Sequence, residues 1–339
     1  MATLSVVNPT MLDWAKTRDP NGNTARIVEM LAQKNQMFDD MVVKEGNLPT
    51  GEQVTLRTGL ATASYREINA GTAATKSTTA QTTVNASILV ARSHVDEDLA
   101  SLEDDLNEYR FSIARGHMAG MSNTQATTLI YGDAATNPEQ YSGFDTQYNS
   151  LSAANGDNIL DAGGTGSDNM SIYLVNWNTD GIYTFFPKGS TVGLEHTDLG
   201  LDDVNDASGN PYRAWKDLFK WKMGLAVADW RDCVRICNID NSDLVGLTGT
   251  QAITAATAIH MLMAGALDHI PDITSGRPVF YVNRTVASNL RKAALRTSNG
   301  AVTIEPAINQ FGKNIHQLTY LGVPVRLMDA LTIAEAQVT

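Results

Sequence analysis

The chain has 339 residues and 43% hydrophobic content, enough for one large or two ordinary domains with a packed core. Its formal net charge is −12, and its densest basic stretch is only Arg291-Lys292 with Arg296, so the cationic cluster that grips phosphates is missing and no specific DNA or RNA binding is expected. Two cysteines are too few for a disulfide framework, and neither a signal-peptide pattern nor an apolar run of about 18 residues occurs, so a chain made in a cytoplasm with no membrane span is expected.

Residues 1–45 read as a mixed polar arm punctuated by Asn8-Pro9 and Asp19-Pro20. A short amphipathic helix is predicted between Ala25 and Met41, with Ile27, Met30, Leu31, Lys34 and Phe38 at helical spacing. Residues 50–92, which read as one ribbon, change character. TGLATASYREINAGTAATKSTTAQTTVNAS, residues 58–87, holds eight threonines but only Leu60, Tyr65, Ile68 and Val84 as large apolar groups. Threonine favours strands and Asn69 to Gly71 offers a turn, so a long two-stranded ribbon with a Gly/Ala/Thr tip is predicted. Such a ribbon cannot bury enough apolar surface to stand alone. It must lie on its own domain or on another subunit, unless it is merely a loose surface loop.

Residues 96–131 carry the strongest helix signal, with Leu99, Leu102, Leu106, Tyr109 and Ile113 at three- and four-residue steps. Asp96, Glu97 and Asp98 sit at its start, where the helix dipole favours anions. The helix would span roughly 50 Å at 1.5 Å per residue, and Gly116 and Gly120 mark where it would kink or break. Residues 133–168 read as loops. Strands are predicted at 171–177, 181–187, 221–230 and 232–239, with Val192 to Trp215 read as a loop between them. A helix over Thr250 to Ile270, a strand at 278–283, a helix at 284–295 and a closing buried strand in 321–331 complete an α+β architecture without internal repeats. Cys233 and Cys237 on one strand would stand roughly 13 Å apart, too far for a bridge, and read as buried free thiols.

No catalytic or cofactor motif emerges. Glu195, His196, Asp198, Asp202 and Asp203 form the densest set of metal-ligand types, but without zincin or EF-hand spacing they read as a solvated acidic loop, and cation binding there stays open. The glycine-rich stretch at 163–166 lacks the Lys-Ser/Thr of a phosphate-binding loop. His94, His117, His260, His269 and His316 are scattered, with no nucleophile pattern around them. His260 and His269 fall on a largely apolar helix and read as structural.

The order of parts resembles the Hong Kong 97 capsid fold of the major capsid proteins of tailed double-stranded DNA bacteriophages. The closing GRPVFYVNRTVASNLRKAAL and TIEPAINQFGKNIHQLTYLGVPVRLMDAL look like that family's axial-domain strand and helix, followed by LG-x-PV and an Asp. The stretch YLVNWNTDGIYTFFPKGSTVGLEHTDLG resembles a subset with an enlarged middle region. The resemblance implies an N-terminal arm at 1–49 and an extended β-hairpin loop at 50–95. It implies a peripheral domain at 96–240, with spine helix 96–131 and inserted strands, and a mainly axial domain at 241–339. It also implies a shell protein, not an enzyme, that self-assembles as hexamers and pentamers around the genome of a virion. An encapsulin-type cargo compartment and a cytoplasmic α+β enzyme are the alternatives.

The same resemblance implies as partners a portal, a separate scaffolding protein and, optionally, a decoration protein. A fused, cleaved scaffold is not expected, because the ribbon begins so close to Met1. Assembly would take place in the host bacterial cytoplasm, with no cofactor. Some relatives cross-link an extended-loop lysine to a neighbour's asparagine; Lys76 is the only ribbon lysine here, and no partner asparagine can be matched to it. In the family the loop lies across a neighbour's spine helix. Residues 50–92 carry Arg57, Arg66, Lys76 and Arg92 against Glu52 and Glu67, whereas 96–110 carries seven acids against Arg110. Arg57, Arg66 or Lys76 meeting Glu103, Asp104 or Asp105 of a neighbour is therefore the candidate inter-subunit contact.

Overall fold

The computed structural model describes residues 33, 35–102, 106–206, 208–245, 249–294, 302–308 and 314–339. Of the helix predicted over Ala25 to Met41, the described residues hold only a single turn, α1 (Met37–Asp40), and Asn35 just before it bridges to Met328 instead of continuing a helix; Ile27, Met30, Leu31 and Lys34 lie outside the described residues. The chain packs as two compact units. One takes in 88–127 and 191–222, the other the described part of 34–87 with 128–190 and 223–339.

The second unit is built on a mixed sheet. Its central strand β6 (Asn169–Trp177) is buried along its whole length. Such a strand, covered on both faces, reads in sequence as a continuous apolar run without alternation. Strand β10 (Cys233–Asp240) pairs antiparallel on one side and β11 (Arg277–Val282) antiparallel on the other. The short β5 (Ile159–Asp161) extends β10, and β14 (Val323–Leu327) runs parallel to β11. Beyond β14 lie β13 (Asn314–Tyr320) and β12 (Val302–Ile308) as an antiparallel hairpin that the sequence reading did not resolve.

One face of this sheet carries α5 (Gly249–His269) and α6 (Arg284–Ala294). Met170, Ile172 and Leu174 of β6 pack there with Val234, Ile236, Phe280 and Val282, against Ile259, Met263, Val286 and Leu290 of the helices. The Asn283 side chain accepts from the Val286 amide at 2.9 Å and so caps α6. On the opposite face, Phe144 of the one-turn α4 (Phe144–Gln147) meets Tyr173 and Trp177, and the Trp177 indole donates to the Tyr281 hydroxyl at 2.8 Å. Strand β7 (Ile182–Phe186) joins β1 (Val43–Glu45) and the 223–227 end of β9 (Pro211–Val227). The same unit carries the ribbon, β2 (Gly51–Gly59) and β3 (Thr78–Asn85).

The other unit sets the long helix on strands. The helix predicted over 96–131 appears as a single turn, α2 (Glu97–Ala100), and then α3 (Leu106–Tyr131). The Asp96 side chain caps α2 by accepting from the Asp98 amide at 2.8 Å. Helix α3 runs without a break through Gly116 and Gly120, where an added Cβ would meet nothing within 4 Å. These glycines lower helix propensity without interrupting the ladder.

Strand β4 (Ser87–Asp96) points Leu89, Ala91 and Val95 at the helix, where they join Tyr109, Ile113, Ala114, Met118 and Met121. The segment read as a loop at 192–215 is instead largely strand. Strand β8 (Leu194–Asn205) pairs with β9 from Leu194↔Trp221 to Asn205↔Pro211. Both faces of β8 mix carboxylates with scattered leucine and valine, so apolar alternation is absent and the strand is invisible to periodicity. The turn is closed by Asp206, whose carboxylate accepts from the Ser208 and Asn210 amides at 2.8 Å each.

Candidate assembly surfaces

The ribbon is exposed along most of its length. Its root is rigid. Asn47 clamps Gln53 by two hydrogen bonds of 2.8 Å, one donated by its side-chain amide and one accepted from the Gln53 amide. Glu52, 5% exposed, accepts from the Tyr183 hydroxyl at 2.9 Å and the Asn47 amide at 2.7 Å, with the Lys44 ammonium 3.3 Å away. That ammonium also sits 3.6 Å over the Tyr183 ring. A buried carboxylate is tolerated only when paired and hydrogen-bonded in this way. Gly51 lets the strands close up, since a Cβ there would lie 2.1 Å from the Val84 carbonyl.

Beyond Gly59 and Thr78 the ladder ends, and every residue from 60 to 77 is exposed. The turn falls at Asn69, whose φ of 68° is one that asparagine tolerates. Leu60 is 79% exposed, Ile68 91% and Tyr65 fully. Arg57 lies exposed on β2, and Arg66 and Lys76 lie on the exposed tip. Glu103, Asp104 and Asp105 lie outside the described residues.

The carboxylates of β8 find cations nearby. Lys216 donates to Asp202 at 2.7 Å, and Lys222 lies 3.9 Å from Glu195. Arg110 of α3 bridges Asp198 and the buried Asp217, at 2.8 Å each. Its guanidinium holds the Asp198 carboxyl below the usual carboxylate range. His196 Nε2 stands 2.9 Å from Asp217, and the His196 ring stacks on Phe219 at 4.9 Å. Asp203 follows Asp202 on the strand, its amide donating to the Asp202 carboxylate at 2.9 Å. Arg110, His196, Asp198 and Asp217 form the charged corner of a pocket of about 370 Å³, whose remaining lining is Asn107, Phe111, Ala114, Met118 and Phe219. Among the described residues, no three His, Cys, Asp or Glu side chains gather closely enough to hold a metal ion, and no helix is long and apolar enough to cross a membrane.

The most heavily paired cluster in the second unit lies on β10. Arg235, 1% exposed, donates to the Tyr148 carbonyl at 2.8 Å, to Glu335 at 3.0 Å and to Ser171 at 3.1 Å, and pairs with Asp145 at 2.6 Å. Ser171 and Tyr131 both donate to Glu335, the latter at 2.6 Å. Burial and the Glu335 carboxylate push the Tyr131 hydroxyl pKa upward. Sequence reading missed this site. Its only signal is one arginine within the otherwise apolar run Cys233–Cys237, which demands an acid partner without saying where. On the same strand, Cys233 and Cys237 are buried free thiols, the second pushed up to about 11 by desolvation. His260 is buried and stacks on Tyr320 at 5.7 Å.

With fold and surfaces in place, comparison with known proteins gives the class. The sequence profile of the family described as major capsid protein GP7 matches residues 19–339. The chain belongs to this family of phage major capsid proteins, structural subunits of a virion shell and not enzymes. A chain from the near-atomic cryo-EM structure of bacteriophage Epsilon15 is 29% identical and superposes with a TM-score of 0.74, each chain covering 100% of the other. A chain of the bacteriophage JBD30 capsid shares the fold at 10% identity and a TM-score of 0.51, over 96% of this chain and 99% of that one. An encapsulin complex from Synechococcus elongatus reaches only 0.44 at 10% identity, over 68% of this chain and 95% of that one, too distant to argue for a cargo compartment. No curated protein matches the chain.

Proposed function

We propose that this capsid subunit builds hexamers and pentamers of an icosahedral shell around double-stranded DNA, and that its ribbon is the element that reaches a neighbouring copy. The supporting observation is the tip itself: residues 60–77 carry Leu60, Tyr65 and Ile68 into solvent on a root that is firmly anchored. A chain gains nothing by holding large apolar groups in water on a rigid stalk, whereas a second copy can cover them. In this reading 1–49 is the arm, 50–95 the extended loop, 96–131 the spine of a peripheral domain, and the C-terminal region the axial domain. A separate scaffolding protein directs closure in the host cytoplasm, a portal occupies one vertex, and a decoration protein can bind outside. Arg57, Arg66 and Lys76 then supply charge toward the acids at Glu103, Asp104 and Asp105 of the neighbour.

Electron microscopy of the chain expressed with its scaffold tests this. Closed shells with five- and six-fold clusters are expected, and a stable monomer under all salt and scaffold conditions would refute it. Particles filled with a cargo enzyme and never with DNA would favour a compartment. For the charged contact, reversing Glu103, Asp104 and Asp105 to Lys should block closure, and adding Arg57→Glu and Arg66→Glu should restore it. Normal assembly of the triple reversal at low salt, where screening is weakest, would refute the pairing.

A further inference from the structure

We infer that the pocket between α3 and the β8–β9 hairpin is the seat of Tyr65 from a second copy of the chain. The inference rests on the shell reading above and adds a specific socket to it. The pocket has two kinds of wall. Phe111, Ala114, Met118 and Phe219 supply apolar surface, while Arg110, His196, Asp198 and Asp217 gather at one corner. Phe111 is 52% exposed, so this apolar wall lies open to water. The aromatic character runs deep: the rings of His196 and His117 both stack on Phe219, at 4.9 and 6.1 Å. A volume of about 370 Å³ admits a large side chain and not a folded domain.

An occupant must match both walls. It needs a flat apolar body for the first and a hydrogen-bonding tip for the second, which is the description of a tyrosine. The chain offers three large side chains on its ribbon tip, Leu60, Tyr65 and Ile68, and only Tyr65 carries a hydroxyl. Tyr65 is also the most exposed of the three, and nothing among the described residues covers it.

Charge agrees. At the corner two carboxylates, Asp198 and Asp217, share one arginine, so carboxylates outnumber guanidinium groups there. Asp217 is buried, but the Asp198 side chain remains 48% exposed and open to a further cation. Arg66 follows Tyr65 directly and brings that cation to the rim as the ring enters. Offset stacking on Phe111 or Phe219 and a hydrogen bond to the corner would then fix the orientation of the ribbon on its neighbour.

The test places a photoreactive p-benzoylphenylalanine at position 65, an exposed site where the fold is undisturbed, and irradiates assembled shells. Adducts between different chains are expected, mapping to 107–118 or 196–219. Adding Phe111→Glu should reduce their yield about tenfold, as expected when a central aromatic anchor is lost. Shells that form normally but give inter-chain adducts only elsewhere would overturn the socket and leave the shell reading standing. Adducts confined to a single chain would do the same. Failure of the unmodified chain to form shells at all would overturn both. As a second readout, Tyr65→Phe should keep cross-chain contact yet weaken closure less than Tyr65→Ala, whereas equal behaviour of Phe and Ala would contradict a ring-binding pocket.

Discussion

The ribbon tip at 60–77 and the C-terminal strap at 329–339 both lack a helix or a continuous strand, yet they end in opposite states. Every tip residue is exposed, while Ala330, Leu331, Glu335 and Val338 of the strap are all under 9% exposed. The strap is held by side chains waiting for it. Glu335 meets Arg235, Ser171 and Tyr131. The Asn238 side chain binds both the Val338 amide and carbonyl, at 2.8 and 2.9 Å. The Thr339 carbonyl accepts from the Leu151 amide at 3.2 Å and the Ser150 hydroxyl at 3.0 Å. The tip has almost none of this: Thr75 donates to the Thr62 carbonyl at 2.7 Å and Ala70 to Glu67 at 3.2 Å. Irregular backbone becomes part of a folded unit when its polar groups find partners there. Where they do not, the segment is left free for something outside the chain.

Breaking the strap should have the largest effect on the subunit. Arg235→Ala leaves Glu335 as an acid without its cation in a buried site, a change that typically costs about 3–5 kcal/mol. Denaturant unfolding of the unassembled subunit should show this loss, and limited proteolysis should cut first within 329–339. Replacing Arg235 and Glu335 together by apolar residues should recover much of the stability, because the unpaired charge disappears. At the ribbon root, Glu52→Ala strands the Tyr183 hydroxyl and Lys44, and a loss of about 1–3 kcal/mol is expected. Hydrogen exchange should then speed up in β2 and β3 but not in β10 and β11.

A pH effect comes next in size. Burial lowers the pKa of His260, which has no hydrogen-bond partner for either ring nitrogen among the described residues. Its folded form therefore resists the proton that the unfolded chain accepts below about pH 6.5. The stability from the neutral ring is fully present above that pH and is lost as pH falls toward the depressed folded value, by at most about 1.4 kcal/mol per pH unit. His260→Phe preserves the stack on Tyr320 and should flatten the pH dependence of unfolding below about pH 6.5. An unchanged slope in the variant would show that other groups set it.

The two regions also differed in how much could be read from sequence. The ribbon was legible because threonine density with few apolar residues is a local signal, and β2 and β3 stand where it placed them. The long helix and the strands at β6, β7, β10 and β11 were legible for the same local reason. The strap's anchor was not. Arg235 and Glu335 stand 100 residues apart, and nothing near either names the other. The β8–β9 hairpin was missed because residues such as Glu195, Asp198 and Asp202 look like solvent-facing loop chemistry until Lys222, Arg110 and Lys216 arrive from elsewhere. The pocket beside that hairpin joins residues of α3 to residues of β8 and β9, so it exists only in three dimensions.

The smallest expected effect on the isolated subunit lies at the tip, and there it is the most informative. Leu60→Ser and Ile68→Ser remove large apolar groups that touch little of their own chain, so unfolding free energy should move by no more than about 0.5 kcal/mol. The strap responds oppositely: Leu331, 3% exposed, should cost about 2–5 kcal/mol when cut to alanine. If the tip is a contact for another copy, the paired Leu60 and Ile68 change should instead shift closed shells toward free subunits at a given concentration, with the subunit's own melting unchanged. That asymmetry separates a contact element from an idle loop. An idle loop would leave both readings flat, whereas a tip folded onto its own chain would lower subunit stability as well. Sedimentation of assembled and free fractions, measured alongside subunit melting, distinguishes the three cases with the same pair of substitutions.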